Sequence, residues 1–437
     1  MSIRCQTFVS LWPVLCGVII GSGSAVWPGE RQDKSQLYQR IESLSSDGST
    51  LLLSEIWVPD THARPASQTP VREWLVYSVN TQSGNSACVF RDRSESTLYD
   101  LPQWLLSKDG ALAATFHQNK LHLACLNERL SRISSVPLEP DDTSVSYYPL
   151  VGLFGNRPCF FPLSRQKGVI ALVGYKMKKP APGRKLADSG IRLLLVSGSG
   201  KRWSQHVLYE ISQDLFLANE RWNFNCSLAP SEKWLAVMDH KLFMESPTEE
   251  NVVPRALESD LRVRLWDLDK YVVRHEWLVA PKFPVAGVAW ADSENALVFV
   301  EYYKREVFLR GFPLDGSEAR HDLIRFRKGI FEMGGLTQSA DGKYLLTFCV
   351  FDDSPVSLLI FDLERRLVLY KDLPRTRGSS HKVAMTRNRD IVVAYCGDLA
   401  TMSDRDRELL GLRYPWRAFV VRYPVEAWQA WPVIAKW

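Results

Sequence analysis

The stretch Ala340-Asp341-Gly342-Lys343-Tyr344-Leu345-Leu346 contains the pattern that decides the fold of this chain. A short polar turn with an Asp-Gly pair is followed directly by aromatic and aliphatic residues. Glycine tolerates the positive φ that a tight turn between antiparallel strands requires, and a run of β-forming residues pairs back on the strand before the turn. The stretch therefore predicts a β-hairpin.

The same pattern recurs along the chain. Two other clear copies have Ser46-Asp47-Gly48 and Lys108-Asp109-Gly110 in the turn, each before an aliphatic run. Weaker copies have their turns at residues 165–168, 230–233, 292–294 and 387–389. Successive turns lie 47 to 65 residues apart. This spacing fits a repeat of about 40 to 45 residues with four short strands, lengthened by insertions.

A second landmark follows several of these turns, namely an alternating strand that ends in another polar turn. Examples are residues 262–268, 306–316 and 357–363. Each repeat thus reads as a four-stranded antiparallel meander, which cannot bury both of its apolar faces alone and must stack on its neighbours. We expect an all-β chain folded as a β-propeller of about seven four-stranded antiparallel blades. Residues 138–165 can be divided into strands in more than one way, so six or eight blades are also possible.

At this point the chain resembles the WD-repeat and related β-propellers. Trp266-Asp267 stands where that family places its name-giving dipeptide, and the resemblance extends from about residue 38 to the end of the chain. The sequence departs from the family in having no Gly-His dipeptide and Trp-Asp in one repeat only. The resemblance implies a divergent propeller, and by analogy a module that binds a protein or peptide.

Charge and hydrophobicity narrow the class of partner. The 437 residues include 54 Lys and Arg against 49 Asp and Glu, a formal net charge of +5, and 46% of them are hydrophobic. Tight nucleic-acid binding needs a concentrated stripe of Lys and Arg rather than a small surplus. We therefore expect no nucleic acid among the partners, and the sequence is silent on oligomeric state.

The first residues predict export. Arg4 precedes an apolar run over residues 7–20, and small residues up to Ala25 resemble a signal-peptide cleavage site. The run is too short for a helix that spans a bilayer, so we expect no transmembrane span in the mature chain. The resulting prediction is a signal peptide at 1–25, a linker at 26–37, one propeller at 38–437, and a secreted or periplasmic location. An uncleaved anchor is the alternative interpretation.

Six cysteines follow this leader, an even number that would suit disulfides in an exported chain. Cys88, Cys125 and Cys349 lie in apolar strand contexts, however, where cysteine behaves as a small buried hydrophobe. The spacing of the cysteines contains no CxxC pair. The pattern favours buried thiols and disfavours a zinc site.

Four long insertions fall between the second and third strands of their repeats. They cover residues 59–71, 176–190, 239–260 and 397–415. Successive turns of a meander alternate between two faces, so these loops open on one face. Tolerance of surface insertions explains them as well as a binding face does. On the second interpretation the candidate binding residues are Lys178, Lys179, Arg184, His240, Phe243, Arg413, Tyr414 and Trp416. We also expect a two-turn helix at 403–411.

No motif in the sequence predicts a catalytic residue, a metal site or a cofactor, and a non-enzymatic interaction module is the first hypothesis. The alternative is a lactonase-like or glycan-acting hydrolase with a divalent metal in the central channel. For that metal the sequence suggests only Asp239 and Asp398 as oxygen ligands. A third hypothesis, electron transfer with a quinone cofactor, lacks the repeated tryptophan signature that it requires.

Overall fold

The structure is a computed structural model of the chain. It describes residues 35–59, 70–93, 95–97, 101–117, 120–126, 133–140, 144–148, 160–177, 189–199, 202–212, 220–243, 261–279, 285–291, 296–303, 306–314, 321–327, 330–333, 336–351, 356–373, 377–398 and 416–436.

The described strands form seven antiparallel sheets, each of which is one blade. Buried apolar side chains form seven clusters, and every cluster lies between two neighbouring blades. One of them joins the last blade to the first through side chains such as Val392 and Leu51. The chain is therefore a closed seven-bladed β-propeller. This confirms the expected fold class and resolves the number of blades.

Blades 1 and 2 are regular four-stranded meanders. The strands of blade 1 are β1 (Ser35–Leu44), β2 (Thr50–Pro59), β3 (Glu73–Asn80) and β4 (Ser86–Asp92). The strands of blade 2 are β5 (Leu105–Leu106), β6 (Leu112–His117), β7 (Lys120–Cys125) and β8 (Ile133–Pro137). The strand β1 begins shortly before the boundary at residue 38 that the sequence suggested.

Blade 3 explains why residues 138–165 were ambiguous. Two short strands, β9 (Val145–Tyr148) and β10 (Phe160–Ser164), both pair with the second strand of this blade, so together they occupy the position of one first strand. The other strands are β11 (Gly168–Met177), β12 (Ser189–Ser199) and β13 (Arg202–Ser212).

Blades 4 and 5 are again regular meanders. The strands of blade 4 are β14 (Glu220–Leu228), β15 (Trp234–Phe243), β16 (Leu261–Asp267) and β17 (Val272–Val279). The strands of blade 5 are β18 (Val285–Ala291), β19 (Ala296–Tyr303), β20 (Glu306–Pro313) and β21 (His321–Arg327).

Blades 6 and 7 depart from the regular pattern. Blade 6 contains β22 (Ile330–Met333), β23 (Thr337–Gln338), β24 (Tyr344–Phe351), β25 (Val356–Asp362) and β26 (Leu367–Asp372). Blade 7 contains β27 (Arg377–Met385), β28 (Ile391–Asp398) and β29 (Trp416–Tyr423), followed by helix α1 (Val425–Trp428) and strand β30 (Val433–Lys436). Among the described residues, blade 7 has three strands, because β30 adds to the outer edge of blade 6 instead.

The repeated polar turn joins the first and second strands of blades 1 to 4, 6 and 7, as the sequence predicted, and the turn predicted for blade 5 lies outside the described residues. In blade 6, Ser339 Oγ donates to Asp341 Oδ1 over 2.7 Å, and the same carboxylate oxygen accepts from the Lys343 amide over 3.1 Å. The Ser339 hydroxyl also accepts from the Tyr344 amide, and Gly342 has a φ of +73°. The turns at Asp47 and Asp109 repeat this set of bonds. Side chains therefore satisfy the backbone donors that the turn leaves unpaired.

In blades 1 and 2 the positive-φ position of the turn also lies against the preceding blade. Gly48 in blade 1 and Gly110 in blade 2 have no room for a side chain there, because a Cβ would lie 2.9 Å from Val392 and from Ser45 respectively. Blades 4 and 7 have Glu232 and Arg389 at this position, with φ values of 58° and 67°. Glu232 accepts a hydrogen bond from Ser164 of blade 3. The turn thus contributes a contact between blades as well as a reversal of direction.

The position of Trp266-Asp267 supports the resemblance to WD-repeat propellers. The pair ends β16, the third strand of blade 4, and Asp267 is buried. Its carboxylate accepts hydrogen bonds from the amides of Asp269 and Lys270 and from the Arg274 guanidinium. The aspartate therefore holds the turn into the fourth strand.

Other sequence predictions have mixed outcomes. Cys349 and Cys396 are buried thiols, but Cys88 is exposed, because it lies on the outer strand β4. The helix expected at 403–411 lies outside the described residues. Of the helices in the described part of the chain, none is long and apolar enough to cross a membrane.

We expect Gly110→Ala to destabilise the protein more than Gly342→Ala. Both substitutions force alanine into the left-handed region, at a cost of about 1 to 2 kcal/mol. At Gly110 the new Cβ would also lie 2.9 Å from the Ser45 Cβ, whereas at Gly342 its nearest neighbour is the flexible end of Gln338 at 3.4 Å. Chemical denaturation measures both free energies of unfolding. Equal losses would contradict the proposed contact between blades.

Candidate functional site

The strand ends beside the long connections share one face of the ring. In blades 1, 3, 4 and 7 the long connections join the second strand to the third, as in β2 to β3 and β15 to β16. The equivalent connections in blades 2, 5 and 6 are much shorter. Because second strands run in the same direction in every blade of a meander, these connections leave the ring on one face. We call this the long-connection face.

The candidate binding residues all belong to this region, but their side chains are not described. His240 and Phe243 lie in the last part of β15, and Trp416 begins β29. Backbone pairing places His240 opposite Leu261 and Trp416 opposite Asp398. The remaining candidates, Lys178, Lys179, Arg184, Arg413 and Tyr414, lie outside the described residues. The structure therefore places three of the eight on the strands beside the long connections.

Asp239, one of the two suggested metal ligands, lies within β15, the second strand of blade 4. Its Oδ2 atom accepts a hydrogen bond from Arg264 Nη1 and another from the Tyr209 hydroxyl over 3.1 Å. Arg264 also lies over the Tyr209 ring, with its guanidinium carbon 4.3 Å from the ring centroid. The carboxylate is thus the buried partner of an arginine at the boundary of blades 3 and 4. Asp398, the second suggested metal ligand, ends β28, and its side chain is not described.

Burial governs the electrostatics of this ion pair. Desolvation raises the pKa of the Asp239 carboxyl above its ordinary value, while the Arg264 charge and the Tyr209 hydroxyl act in the opposite direction. On its outer side Arg264 donates from Nε to Glu276 Oε2 over 3.2 Å. A single guanidinium therefore connects a buried carboxylate to a half-exposed one. No sequence motif indicates this network, because its members come from strands of two blades.

The opposite face carries the repeated polar turns and a polar cavity. The cavity has a volume of about 540 Å³ and lies between the turns of blades 2, 3 and 4. Its charged lining residues are Asp109, Arg165, Lys167 and Glu232. Lys167 Nζ forms an ion pair with Asp269 over 2.8 Å, and Glu232 accepts from Ser164. The lining therefore has balanced charge and does not single out an anionic or a cationic ligand.

A third cluster of charges lies where blade 7 meets blade 1. The carboxylate of Glu42 is buried and accepts hydrogen bonds from Arg40, from Ser54 and from the Trp104 amide. Desolvation lowers the pKa of the nearby Lys382 amine, which Glu42 partly offsets. Gln39 bridges the same boundary, since its side-chain oxygen accepts from the Ala418 amide over 3.0 Å. The Gln39 hydrogen bond joins blade 1 to blade 7 and so contributes to the closure of the ring.

In the parts of the chain that the structure describes, no group of three or more His, Cys, Asp or Glu side chains is arranged to hold a metal ion. The hydrolase hypothesis therefore gains no ligand set from these residues. Their carboxylates pair with arginine, lysine, hydroxyl groups or backbone amides in each cluster described above.

Comparisons with known proteins add likenesses of fold only. No family model and no curated protein matches the chain. Hsv2 of Kluyveromyces lactis aligns with 14% identity over 89% of this chain and 99% of that chain, with a TM-score of 0.37. The β-propeller domain of Cps50 (Swd1) from Myceliophteria thermophila aligns with 11% identity over 83% of this chain and 96% of that chain, with a TM-score of 0.42. Hydrazine synthase of Kuenenia stuttgartiensis aligns with 10% identity over 78% of this chain and 80% of that chain, with a TM-score of 0.37. The fold of the present chain rests on its own strand pairing.

We expect Asp239→Ala to lower the free energy of unfolding by about 3 kcal/mol at neutral pH, because the variant removes the buried oxygen that accepts hydrogen bonds from Arg264 and Tyr209. The pKa of Asp239 is higher in the folded chain than its ordinary value of 3.8. The advantage of the wild type over the variant is therefore largest below pH 3.8 and decreases as the pH rises through the folded-state pKa.

Chemical denaturation at several pH values measures this difference. The control is Glu73→Gln, which breaks the exposed ion pair with Arg91 and should cost less than about 1 kcal/mol. A similar loss in both variants would mean that the Asp239 pair is no more important than a surface contact.

Proposed function

We propose that this chain is a non-enzymatic interaction module of the cell envelope or extracellular space, which binds a protein or peptide on its long-connection face. The observation that carries the proposal is that four blades have a long connection at the same place, between the second and the third strand.

The opposite face supports the proposal by contrast. There the Asp47, Asp109 and Asp341 turns keep the same short length and the same side-chain hydrogen bonds. Variation in length is thus concentrated at one end of a rigid ring, which is the usual arrangement when a scaffold presents recognition loops. The resemblance to WD-repeat propellers adds an analogy to this argument.

The chemistry of the chain favours a protein or peptide as the ligand. The net charge of +5 over 437 residues is small for a nucleic-acid partner. A face built from long connections offers many backbone groups and mixed side chains, which suits a peptide surface. The leader-like residues 1–25 support placement of this binding activity at the envelope or outside the cell.

The proposal predicts that shortening either of two connections removes the ligand without unfolding the ring. In one variant a short Gly-Ser linker replaces residues 244–260, and in the other it replaces residues 399–415. The flanking strands β15 and β16, and β28 and β29, pair directly with each other, so the ring should keep its circular dichroism spectrum and melting temperature.

The measurement is affinity enrichment from secreted and periplasmic fractions, with quantitative mass spectrometry of the proteins retained. The matched control is Lys343→Ala on the opposite face, which removes an exposed ion pair with Glu364. We expect at least one protein to be retained by the wild type and by the control but not by either deletion variant. Identical sets of retained proteins in all four samples would refute it.

A further inference from the structure

Exposed apolar side chains are concentrated on the outer rim of two neighbouring blades. Of the seven large apolar side chains that are exposed in the described residues, five lie on β13, on β17 or in the turn before β17, with exposed fractions of 39% to 63%. These five residues are Val207, Tyr271, Val272, Val273 and Leu278. The His206 ring stacks on Tyr271 with their centroids 5.1 Å apart, which joins the two strands into one surface. We call this surface the blade 3–4 rim.

Other outer strands whose side chains the structure describes have fewer large exposed apolar residues, such as Ile133 alone on β8. On β4 of blade 1 the exposed residues include Ser86, Ala87 and Arg91. On blade 6 the strand β30 covers the outer edge of β26, where Val368 and Leu369 are buried. Exposed apolar surface of this kind is typical of a contact with another protein.

Charge is arranged symmetrically within β17. Tyr271, Val272 and Val273 precede Arg274, whereas Trp277 and Leu278 follow Glu276. The strand therefore reads apolar, positive, neutral, negative and apolar, with His275 at its centre. Read in the opposite direction, it has the same pattern with the two charges exchanged.

Both charged side chains retain capacity for an additional partner. Arg274 uses Nε and Nη2 on Asp267, and a guanidinium has five N–H donors. Glu276 is the outer partner of Arg264, whose buried partner is Asp239. The side chains of Arg274 and Glu276 are 40% and 45% exposed.

We propose that the blade 3–4 rim binds a second copy of this chain, related by a two-fold axis close to His275. A two-fold contact places each surface against itself, so it must be self-complementary. With the axis near His275, Arg274 of each copy faces Glu276 of the other, and the apolar residues on both sides of this pair meet one another. Binding of a protein of different sequence does not need a charge pattern that is complementary to itself, whereas binding of a second copy does.

The contact is formed by side chains rather than by a continuous sheet. The pairing of β16 with β17 shifts between Leu265 and Trp266, which leaves Arg274 as an extra residue on the outer strand. Such a bulge disfavours regular edge-to-edge pairing of strands. The dimer would leave the long-connection face free in both copies, because the rim runs along the side of the ring. The inference therefore does not depend on the proposed function.

The test is sedimentation velocity of the purified chain over about 1 to 100 µM, a range that covers micromolar association. We expect a reversible monomer–dimer equilibrium in the wild type. Leu278→Asp should raise the dimer dissociation constant about tenfold or more. Its matched control is Ile133→Asp on β8, which has an exposed apolar residue outside the rim and should leave the constant unchanged.

Charge variants test the symmetry directly. Arg274→Glu creates two carboxylates on each rim and Glu276→Arg creates two guanidinium groups, so each variant alone should be monomeric. An equimolar mixture should form a heterodimer, because every charge then meets its opposite across the axis. Arg91→Glu on β4 is the control, since it breaks a comparable ion pair with Glu73 away from the rim. Thermal melts confirm that each variant is folded.

A wild type that remains monomeric over the whole range would overturn the proposal. So would a dimer that survives Leu278→Asp, or a mixture of the two charge variants that stays monomeric. Capture of a different protein by a monomeric wild type through the rim would also refute the assignment to a second copy.

Discussion

The structure depends on one constraint, which is that each four-stranded meander has two apolar faces and can bury neither alone. All seven described clusters of buried apolar side chains lie between blades, so each blade is stabilised by its two neighbours and the last must meet the first. Large rings occupy several of these spaces. Trp74, Trp104, Trp290 and Trp428 are almost completely buried. Where the inner strands meet, the Gln338 side chain of blade 6 accepts a hydrogen bond from the Trp290 amide of the preceding blade.

This constraint explains how much of the fold the sequence could predict. The turns at Asp47, Asp109 and Asp341 can be recognised locally, because the hydrogen bonds that all three repeat join residues at most five positions apart. Their spacing then reveals the number of repeats. The weaker turns could be found for a different reason, since Glu232 and Arg389 adopt the conformation that glycine adopts elsewhere, and the apolar runs after them are preserved.

The features that the sequence did not reveal depend on contacts between distant residues. The crossing of β30 to blade 6 requires Leu367 to pair with Lys436, and no local pattern distinguishes that choice from a fourth strand in blade 7. The partners of Asp239 come from β13 and β16, so its position in the sequence suggested a free carboxylate where the structure has an ion pair. Cys88 was expected to be buried because its neighbours are apolar, but an outer strand exposes it. Alternation along a strand identifies faces without revealing which strand is outermost.

The crossing of β30 to blade 6 also determines the order in which the last two blades can be completed during synthesis. A ribosome makes residues 433–436 after every other described strand, so blade 6 must wait for its outermost strand until blade 7 has been synthesised. Trp428, which lies between these two blades and donates a hydrogen bond to the Arg389 carbonyl, enters its site at the same late stage. Completion of the sixth blade and closure of the ring are therefore coupled during synthesis, and a chain released early would expose the edge of β26 to other nascent chains.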